Sequence, residues 1–291
     1  MKYAYYPGCV SQTSGKELDI STRLVAKKLG IELVEFPNFS CCGAGFMDEA
    51  DIDFNTILNA RNLAIARDAG LDMVTICSTC QGMLSRSNKI LKEDAGMKAK
   101  ADEILSKIDR TYDGMETIKH LLWILVADYG LDNLKKMVVK PLEGLRVAAF
   151  YGCHIVRPGD VTGFEDPDKP ESFEKLISTL GAEPVIYDGS TSCCGFPILL
   201  HKEDAANKMA GMNLLDAKTK GADVMVTPCP LCHISLDAFQ GDAESYAQSP
   251  IDLPILHLPQ LVGLAIGIPP KSLGLNRHIV DVQKVLDIVR L

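Results

Sequence analysis

The sequence has no long apolar run and no excess of positive charge. Its best candidate for a membrane span, Leu121–Ala127, has seven residues, whereas crossing a bilayer takes about 20 apolar residues. Met1–Cys9 has no positive region followed by an apolar stretch, so we expect no secretory signal. The net charge of −8 argues against a broad nucleic-acid surface. We therefore expect a cytoplasmic protein with no membrane span and no nucleic-acid partner.

The sequence also lacks a G-x-G-x-x-G stretch after a predicted strand, so no flavin of its own is expected. Its 291 residues are 47% apolar and 23% charged, which is typical of a globular protein with one large domain or two smaller ones. Cysteine is the residue present in excess, with ten copies. Structural disulfides are rare in the cytoplasm, so these cysteines are expected to bind metal or to carry out redox chemistry.

The cysteines form two copies of one pattern. The first copy is C-x31-CC-x34-C-x2-C and the second is C-x39-CC-x34-C-x2-C. Flanking segments repeat too: Lys2–Cys9 resembles Arg146–Cys153, and each adjacent pair of cysteines is followed by glycine. A duplicated module is the simplest explanation. The ten positions are Cys9, Cys41, Cys42, Cys77 and Cys80, then Cys153, Cys193, Cys194, Cys229 and Cys232.

The pattern of apolar residues predicts an α/β fold made of two duplicated modules with short parallel sheets. In each module a strand precedes the first cysteine, the adjacent pair and the C-x-x-C motif, and helices lie between the strands. Ligand groups of parallel sheets gather at the carboxyl ends of strands, so one module's five cysteines are expected to converge. The predicted strands are 3–6, 32–36, 73–76, 147–151, 184–187 and 224–227, and the predicted helices are 16–29, 51–69, 172–180 and 204–220, with a helix beginning at each C-x-x-C.

The predicted domain boundaries follow from the repeat. They are residues 1–91 for the first module, 92–145 for a helical connector, 146–275 for the second module and 276–291 for a C-terminal helix. Within the connector, Glu116–Gly130 is predicted to be helical because its apolar residues fall on one stripe. Pro250–Pro270 is proline-rich and is predicted to be irregular. Asn276–Leu291 is predicted to be an amphipathic helix packed on its own domain, with docking of a partner as the alternative.

Three kinds of site compete for the cysteines. Structural zinc takes four ligands, which would leave one cysteine of each module unused. A thioredoxin-like pair would account for the C-x-x-C motifs but not for the other six cysteines. Neighbouring cysteines such as Cys41 and Cys42 do not easily chelate one tetrahedral ion, whereas they are able to bind different metals of a cluster. An iron–sulfur cluster in each module is therefore the favoured interpretation.

The doubled cysteine pattern resembles that of the CCG-domain proteins over nearly the whole chain. Within that family it is most similar to the B-type subunit of heterodisulfide reductase from methanogenic archaea. More distant relatives are the iron–sulfur subunits of glycolate oxidase, lactate-utilisation and glycerol-phosphate dehydrogenase complexes. Many of those carry a ferredoxin-like domain before the CCG modules, whereas this sequence begins at the module, which favours the B-type subunit.

The resemblance implies a cofactor, a reaction and partners. Each module is expected to hold a noncubane [4Fe-4S] cluster on its five cysteines, facing a cavity between the modules. The expected substrate is the small-molecule disulfide of coenzyme M and coenzyme B, which is reduced to two thiols. Electrons are expected from the C-type subunit of heterodisulfide reductase with its cubane clusters, and ultimately from a flavin in the A-type subunit, with a hydrogenase as a further candidate partner.

Two clusters suit a substrate with two sulfur ends, because each cluster is able to supply one electron and to bind one sulfur. The substrate's anionic groups call for cations near the motifs. The candidates are His154, Arg157, His201, Lys202 and His233. An ordinary structural role is favoured for Lys202 and His233. His154 follows a ligand where the first module has Val10, and that asymmetry suits a proton donor to the departing thiolate.

Two other functions remain open at this stage. The chain is alternatively an electron-transfer subunit of a dehydrogenase complex, or a reductase of another disulfide in sulfur metabolism. Trp123 is predicted to be a core residue rather than an electron relay, and the acidic run Glu165–Asp168 is predicted to be a solvated loop rather than a metal site.

Overall fold

Two four-stranded parallel sheets organise the chain in a computed structural model that describes residues 1–114, 117–247 and 250–290. The strand order is β2-β1-β3-β4 in the first sheet and β6-β5-β7-β8 in the second, so both modules have the same topology. The strands are β1 Lys2–Tyr6, β2 Glu32–Glu35, β3 Met73–Thr75, β4 Ile118–His120, β5 Arg146–Ala149, β6 Glu183–Val185, β7 Val224–Thr227 and β8 Ile255–His257. The predicted α/β fold with two duplicated modules is confirmed.

Helices connect the strands of each sheet. The α-helices are α1 Cys9–Gln12, α2 Lys16–Leu29, α3 Met47–Ala50, α4 Ile52–Asp68, α5 Ser78–Glu93, α6 Ala95–Ser106, α7 Leu121–Trp123, α8 Leu131–Met137, α9 Gly159–Thr162, α10 Ser172–Thr179, α11 Glu203–Thr219, α12 Pro230–His233, α13 Gln240–Ala247, α14 Leu258–Ala265 and α15 Gln283–Ile288. Two π-helices, Ile124–Asp128 and Ile234–Ala238, extend α7 and α12. None of the helices in the described ranges is long and apolar enough to cross a membrane.

The helix α2 shows how local sequence and burial agree. Its stripe of apolar residues, which includes Leu18, Val25 and Leu29, faces the core. Acidic residues occupy its first turn and lysines its last, which complements the helix dipole. Gly30 ends it in the left-handed conformation with φ of 71°, which glycine adopts at low cost.

The fourth strand of each sheet differs from the prediction. Residues 118–120, which were predicted to be helical, form β4 and pair with β3. Only α7 and its π-helix continue toward Gly130, and Glu116 lies outside the described residues. Likewise the segment Pro250–Pro270, predicted to be irregular, contains β8 and α14. In both cases a three-residue strand leads directly into a helix with no turn residue between them.

The predicted C-terminal helix Asn276–Leu291 is also corrected. A 3-10 helix covers Leu275–Arg277, residues 278–282 are not helical, and α15 contains only Gln283–Ile288. Residue 291 lies outside the described part of the chain. The break arises because Ile279 and Val280 donate their backbone N–H groups to the Asp237 carboxylate instead of to a helix.

Two apolar clusters form the core, and each draws residues from both modules. One of them joins α2, α7 and α14, while the other surrounds the buried cysteines. Trp123 is 4% exposed in the first cluster and stacks on Phe164 with ring centroids 4.9 Å apart. The prediction that Trp123 is a core residue is therefore confirmed.

Candidate iron–sulfur centres

The cysteines follow the carboxyl ends of three neighbouring strands in each sheet. In the first module Cys9 comes after β1, Cys41 and Cys42 after β2, and Cys77 and Cys80 after β3. Because these strands are parallel and adjacent, their carboxyl ends lie at one edge. The second module repeats this placement after β5, β6 and β7. The predicted convergence of the cysteines at the sheet edge is thus what the strand order produces.

The sulfur atoms of the first module are in mutual contact. Cys41 Sγ lies 3.7 Å from Cys9 Sγ, and Cys42 Sγ lies 3.4 Å from Cys80 Sγ. All five cysteines are free thiols without a disulfide. Five soft donors at such spacing are a donor set suited to a thiolate-bound cluster. They exceed the four ligands that a structural zinc ion requires.

Ionisation of these thiols is strongly interdependent. Hydrogen bonds from the neighbouring thiols, above all from Cys42, lower the pKa of Cys41 to about 2. The same bond raises the pKa of Cys42 to about 12. The second module repeats this, with the pKa of Cys193 lowered to about 2 by Cys153 and Cys194, and that of Cys194 raised to about 12 by Cys193. The thiols of one module therefore cannot all ionise together without a positive charge among them, and a metal cluster would supply that charge.

Two glycines leave room for the C-x-x-C sulfurs. A Cβ added to Gly8 would lie 3.1 Å from Cys80 Sγ, and one added to Gly152 would lie 3.0 Å from Cys232 Sγ. Both glycines have positive φ, 79° and 69°. Each module thus has a glycine immediately before its first cysteine whose missing side chain makes space for the last one. The residues present fit an iron–sulfur cluster in each module.

Polar side chains hold the adjacent cysteines by their backbone. Asn55 and Asn59 donate to the carbonyl of Cys42 at 2.9 and 3.1 Å. Gly43, with φ of 76°, brings the chain so close to α4 that a Cβ would meet the Asn55 amide at 2.3 Å. These bonds fix the direction of both cysteine side chains.

The second module uses different residues for the same purpose. Asn213 donates to the carbonyl of Cys193 at 3.0 Å, and Ser235 donates to that of Cys194 at 2.6 Å. The asparagines on α4 and α11 gave no distinctive signal in the sequence, because they do not align in the repeat: Asn213 corresponds to Arg61, and Asn59 corresponds to Gly211.

The two sets of cysteines meet at the interface of the modules. Thr79, inside the first module's C-x-x-C motif, has its hydroxyl 3.7 Å from Cys229 Sγ of the second module, and the Cys229 thiol raises the pKa of Cys77. A cavity of about 230 Å³ borders the first module's cysteines, and its other wall includes Phe196 and Leu231 of the second module. Among the described residues that line this cavity, none is a lysine, arginine or histidine.

The fourth strand of each sheet ends in a histidine, whereas the other three strands of each sheet are followed by cysteine. His120 ends β4 and His257 ends β8, and both are buried. His120 Nε2 lies 3.0 Å from the carbonyl of Pro228, and its Nδ1 accepts from the N–H of Leu122. Burial lowers the pKa of His120 to about 4, so the ring is neutral and Nε2 carries the proton. Sequence reasoning missed both, although the repeat of Ile-x-His-Leu was visible.

His233 and His257 belong to a buried network between the modules. Their rings stack with centroids 3.9 Å apart, and His257 Nε2 lies 3.4 Å from the carboxylate of Glu17 in the first module. His278 Nδ1 lies 2.9 Å from His233 Nε2, and Gln260 lies 2.9 Å from the other nitrogen of His278.

The stacked histidine rings do not have the geometry of a metal site. Glu17, His233 and His257 have potential ligand atoms within 4.8 Å of one another. Imidazoles on one tetrahedral ion point toward it from about 109° apart, which places their ring centroids farther apart than these stacked rings are. The group is therefore a hydrogen-bonded connection between modules, in agreement with the structural role favoured for His233.

The other candidate cations lie outside the cavity lining. His154 is half-buried, and its backbone carbonyl would be 3.2 Å from a Cβ on Gly82 of the first module. Arg157 is exposed and donates to the carbonyl of Thr191. His201 and Lys202 are exposed.

The acidic run near these residues has a local structural role. Glu165 accepts hydrogen bonds from the N–H groups of Glu171 and Ser172 and from the Ser172 hydroxyl, which supports the start of α10.

Comparison with known proteins agrees with the geometry. Residues 3–85 and 147–237 each match the cysteine-rich domain named CCG. The chain is 42% identical over 284 residues to the 8-methylmenaquinol:fumarate reductase membrane anchor subunit of Wolinella succinogenes, covering 98% of this chain and 99% of that protein. It is 32% identical to a protein of Archaeoglobus profundus that is named as similar to the B-type subunit of heterodisulfide reductase, covering 94% and 93%.

A third relative is the B-type subunit of the ferredoxin/F(420)H(2)-dependent CoB-CoM heterodisulfide reductase of Methanosarcina acetivorans, 30% identical over 96% of this chain and 94% of that protein. Among solved structures, a hypothetical protein from Helicobacter pylori shares the fold with a TM-score of 0.76 and 16% identity. The match covers 97% of this chain and 52% of that one. With both cysteine patterns intact and both domain matches in place, this chain belongs to the CCG cysteine-rich domain family and is related to the B-type subunits of heterodisulfide reductase.

Proposed function

We propose that this chain is an iron–sulfur subunit that transfers electrons within a multi-subunit reductase complex. One cluster is held by Cys9, Cys41, Cys42, Cys77 and Cys80, and the other by Cys153, Cys193, Cys194, Cys229 and Cys232. We propose that both are noncubane [4Fe-4S] clusters, whose chemistry when bound is the acceptance and release of single electrons. The observation that carries this proposal is the gathering of free cysteines at one sheet edge, where Cys41 Sγ lies 3.7 Å from Cys9 Sγ and Cys42 Sγ lies 3.4 Å from Cys80 Sγ.

The assignment to an electron-transfer role rests on similarity and on the chemistry of the cavity. A relative that is 42% identical over nearly both full lengths is a subunit of a quinol:fumarate reductase. Apart from Thr79, the cavity wall beyond the cysteines is formed by glycine and by apolar residues such as Val10, Phe196 and Leu231. An apolar wall without a cation does not favour a substrate that carries sulfonate, phosphate and carboxylate groups. We propose that its partners are two subunits, one with a flavin and one with cubane clusters.

Reduction of the coenzyme M–coenzyme B disulfide is the second candidate. It is favoured by relatives of 30–32% identity that carry that activity in their names, and by the retention of all ten cysteines. In this function His154 would donate a proton to a departing thiolate. Its half-buried position beside Cys193, whose pKa it helps to lower, supports that role. Arg157 and Lys202 would then attract the anionic groups of the substrate.

Metal analysis tests the cofactor first. Anaerobically purified protein should contain about eight iron atoms per chain, as two [4Fe-4S] clusters require. The variant Cys194→Ser should retain about half of that iron. Zinc in place of iron, or about four iron atoms in the unaltered protein, would contradict the proposal.

A paired assay then separates the two functions. One arm supplies reduced viologen dye and the coenzyme M–coenzyme B disulfide, and measures free thiols. The other arm supplies a reduced quinone analogue to the complex with its native partners, and follows reduction of this chain's clusters by electron paramagnetic resonance. We expect reduction in the second arm and no thiol formation in the first. Steady thiol formation would refute the electron-transfer role, and its loss in His154→Ala would assign the proton to that residue.

A further inference from the structure

The two C-x-x-C loops face each other across the module interface, but their inner residues differ. The first loop reads Cys-Ser-Thr-Cys and the second reads Cys-Pro-Leu-Cys. Thr79 and Leu231 therefore hold the same place in the repeat, and both line the cavity between the modules. A different side chain at this position gives the cysteines of the two modules different surroundings.

Thr79 reaches across the interface to a ligand of the other module. Its hydroxyl oxygen lies 3.7 Å from Cys229 Sγ. A cysteine sulfur bound to iron carries no proton, so the hydroxyl is the donor in this pair.

The matching residue of the second loop has no hydroxyl to offer. Leu231 lines the cavity beside Cys77 and Cys80 with an aliphatic side chain. Within the part of the chain that the structure describes, Cys77 Sγ accepts a hydrogen bond from the N–H of Cys80 at 3.5 Å and none from a hydroxyl. The duplicated sites thus differ by one hydroxyl donor aimed at a ligand sulfur.

Hydrogen bonds to the sulfurs of a cluster set its reduction potential, since they stabilise the more negative, reduced state. We propose that Thr79 makes the second module's cluster the easier of the two to reduce, so that a single electron in the chain resides there. This inference rests on the proposed pair of clusters. The equilibrium is an exchange of one electron, in which the first cluster is oxidised as the second is reduced, and it needs no further reactant.

The test is a potentiometric titration of anaerobically purified protein followed by electron paramagnetic resonance. Thr79→Val replaces the hydroxyl by a methyl group of similar size. We expect the component of higher potential to become about tenfold harder to reduce, a shift of about 59 mV for one electron, while the other stays in place. Thr79→Ser retains the hydroxyl and should restore the original value. Leu231→Thr is the reciprocal variant and should raise the lower potential.

Iron content separates failure of this inference from failure of the proposed function. If the unaltered protein lacks two clusters, the proposed function itself is wrong. If it contains both, yet Thr79→Val shifts neither potential or shifts both equally, the role of Thr79 is refuted. Should Thr79→Val assemble poorly, Leu231→Thr decides the matter, because an unchanged lower potential in that variant would equally overturn the inference.

Discussion

The glycine before the first cysteine of each module provides a sharp test of the cluster sites. In Gly152→Ala the new Cβ would lie 3.0 Å from Cys232 Sγ. Ordinary contact between such atoms is about 3.5–4.0 Å, so the sulfur must move by roughly 0.5–1 Å. Ligand distances in metal sites hold to within about 0.2 Å, so this displacement should prevent cluster binding in the second module. The left-handed backbone, with φ of 69°, adds about 1–2 kcal/mol of strain to the alanine variant.

Gly30→Ala is the matched control for that experiment. Gly30 has nearly the same φ, 71°, but nothing lies within 4 Å of the Cβ position. Both variants should therefore lose about 1–2 kcal/mol of unfolding free energy through backbone strain. Only Gly152→Ala should also lose about half of the iron per chain, measured by metal analysis and visible absorption. Full iron in Gly152→Ala would refute the reasoning, as would an equal loss of iron in Gly30→Ala.

Two further predictions concern the interface between the modules. Alanine normally stabilises a helix by about 1 kcal/mol relative to glycine. Gly82→Ala should not show this gain, because its Cβ would lie 3.2 Å from the carbonyl of His154. Thermal melting should show the gain only in the control variant Gly241→Ala, since nothing lies within 4 Å of the Cβ position there. Burial lowers the pKa of His278 to about 4, so the unfolded chain binds a proton first as the pH falls. His278 alone should therefore contribute a decrease in stability of about 2 kcal/mol from pH 7 to pH 5, added to that of the other buried histidines, and urea unfolding should show a smaller total decrease in His278→Asn.

The cysteine spacing was enough to predict the sheet edge at which the cysteines of each module gather, because each cysteine follows a strand with clear apolar character. The fourth strands could not be predicted in the same way. Ile118, Leu121, Leu122 and Leu125 also fit one helical face, and only the first of them lies in a strand. A three-residue strand carries too little periodicity to be distinguished from the helix that follows it.

Self-comparison of the sequence was anchored on cysteine, and for that reason it overlooked the two histidines. His120 and His257 end equivalent strands but lie in segments with no cysteine. These two segments also differ from each other in length and in proline content. Their partners are also remote in sequence: Glu17 contacts His257 across 240 positions. Such contacts depend on how the modules pack, and no local pattern specifies that packing.

Duplication explains why the two sets of cysteines are alike, and the residues at the interface explain how the proposed clusters would differ in reduction potential. Each module places its cysteines after the same three strands, and the modules meet where the Thr79 hydroxyl lies 3.7 Å from Cys229 Sγ. Around this meeting point the copies have diverged: Thr79 opposes Leu231 in the repeat, and Gly82 is small where His154 packs against it. A symmetric pair of clusters would give an electron no preferred site. A hydroxyl donor present on one side alone is sufficient to create a preference without changing a single ligand.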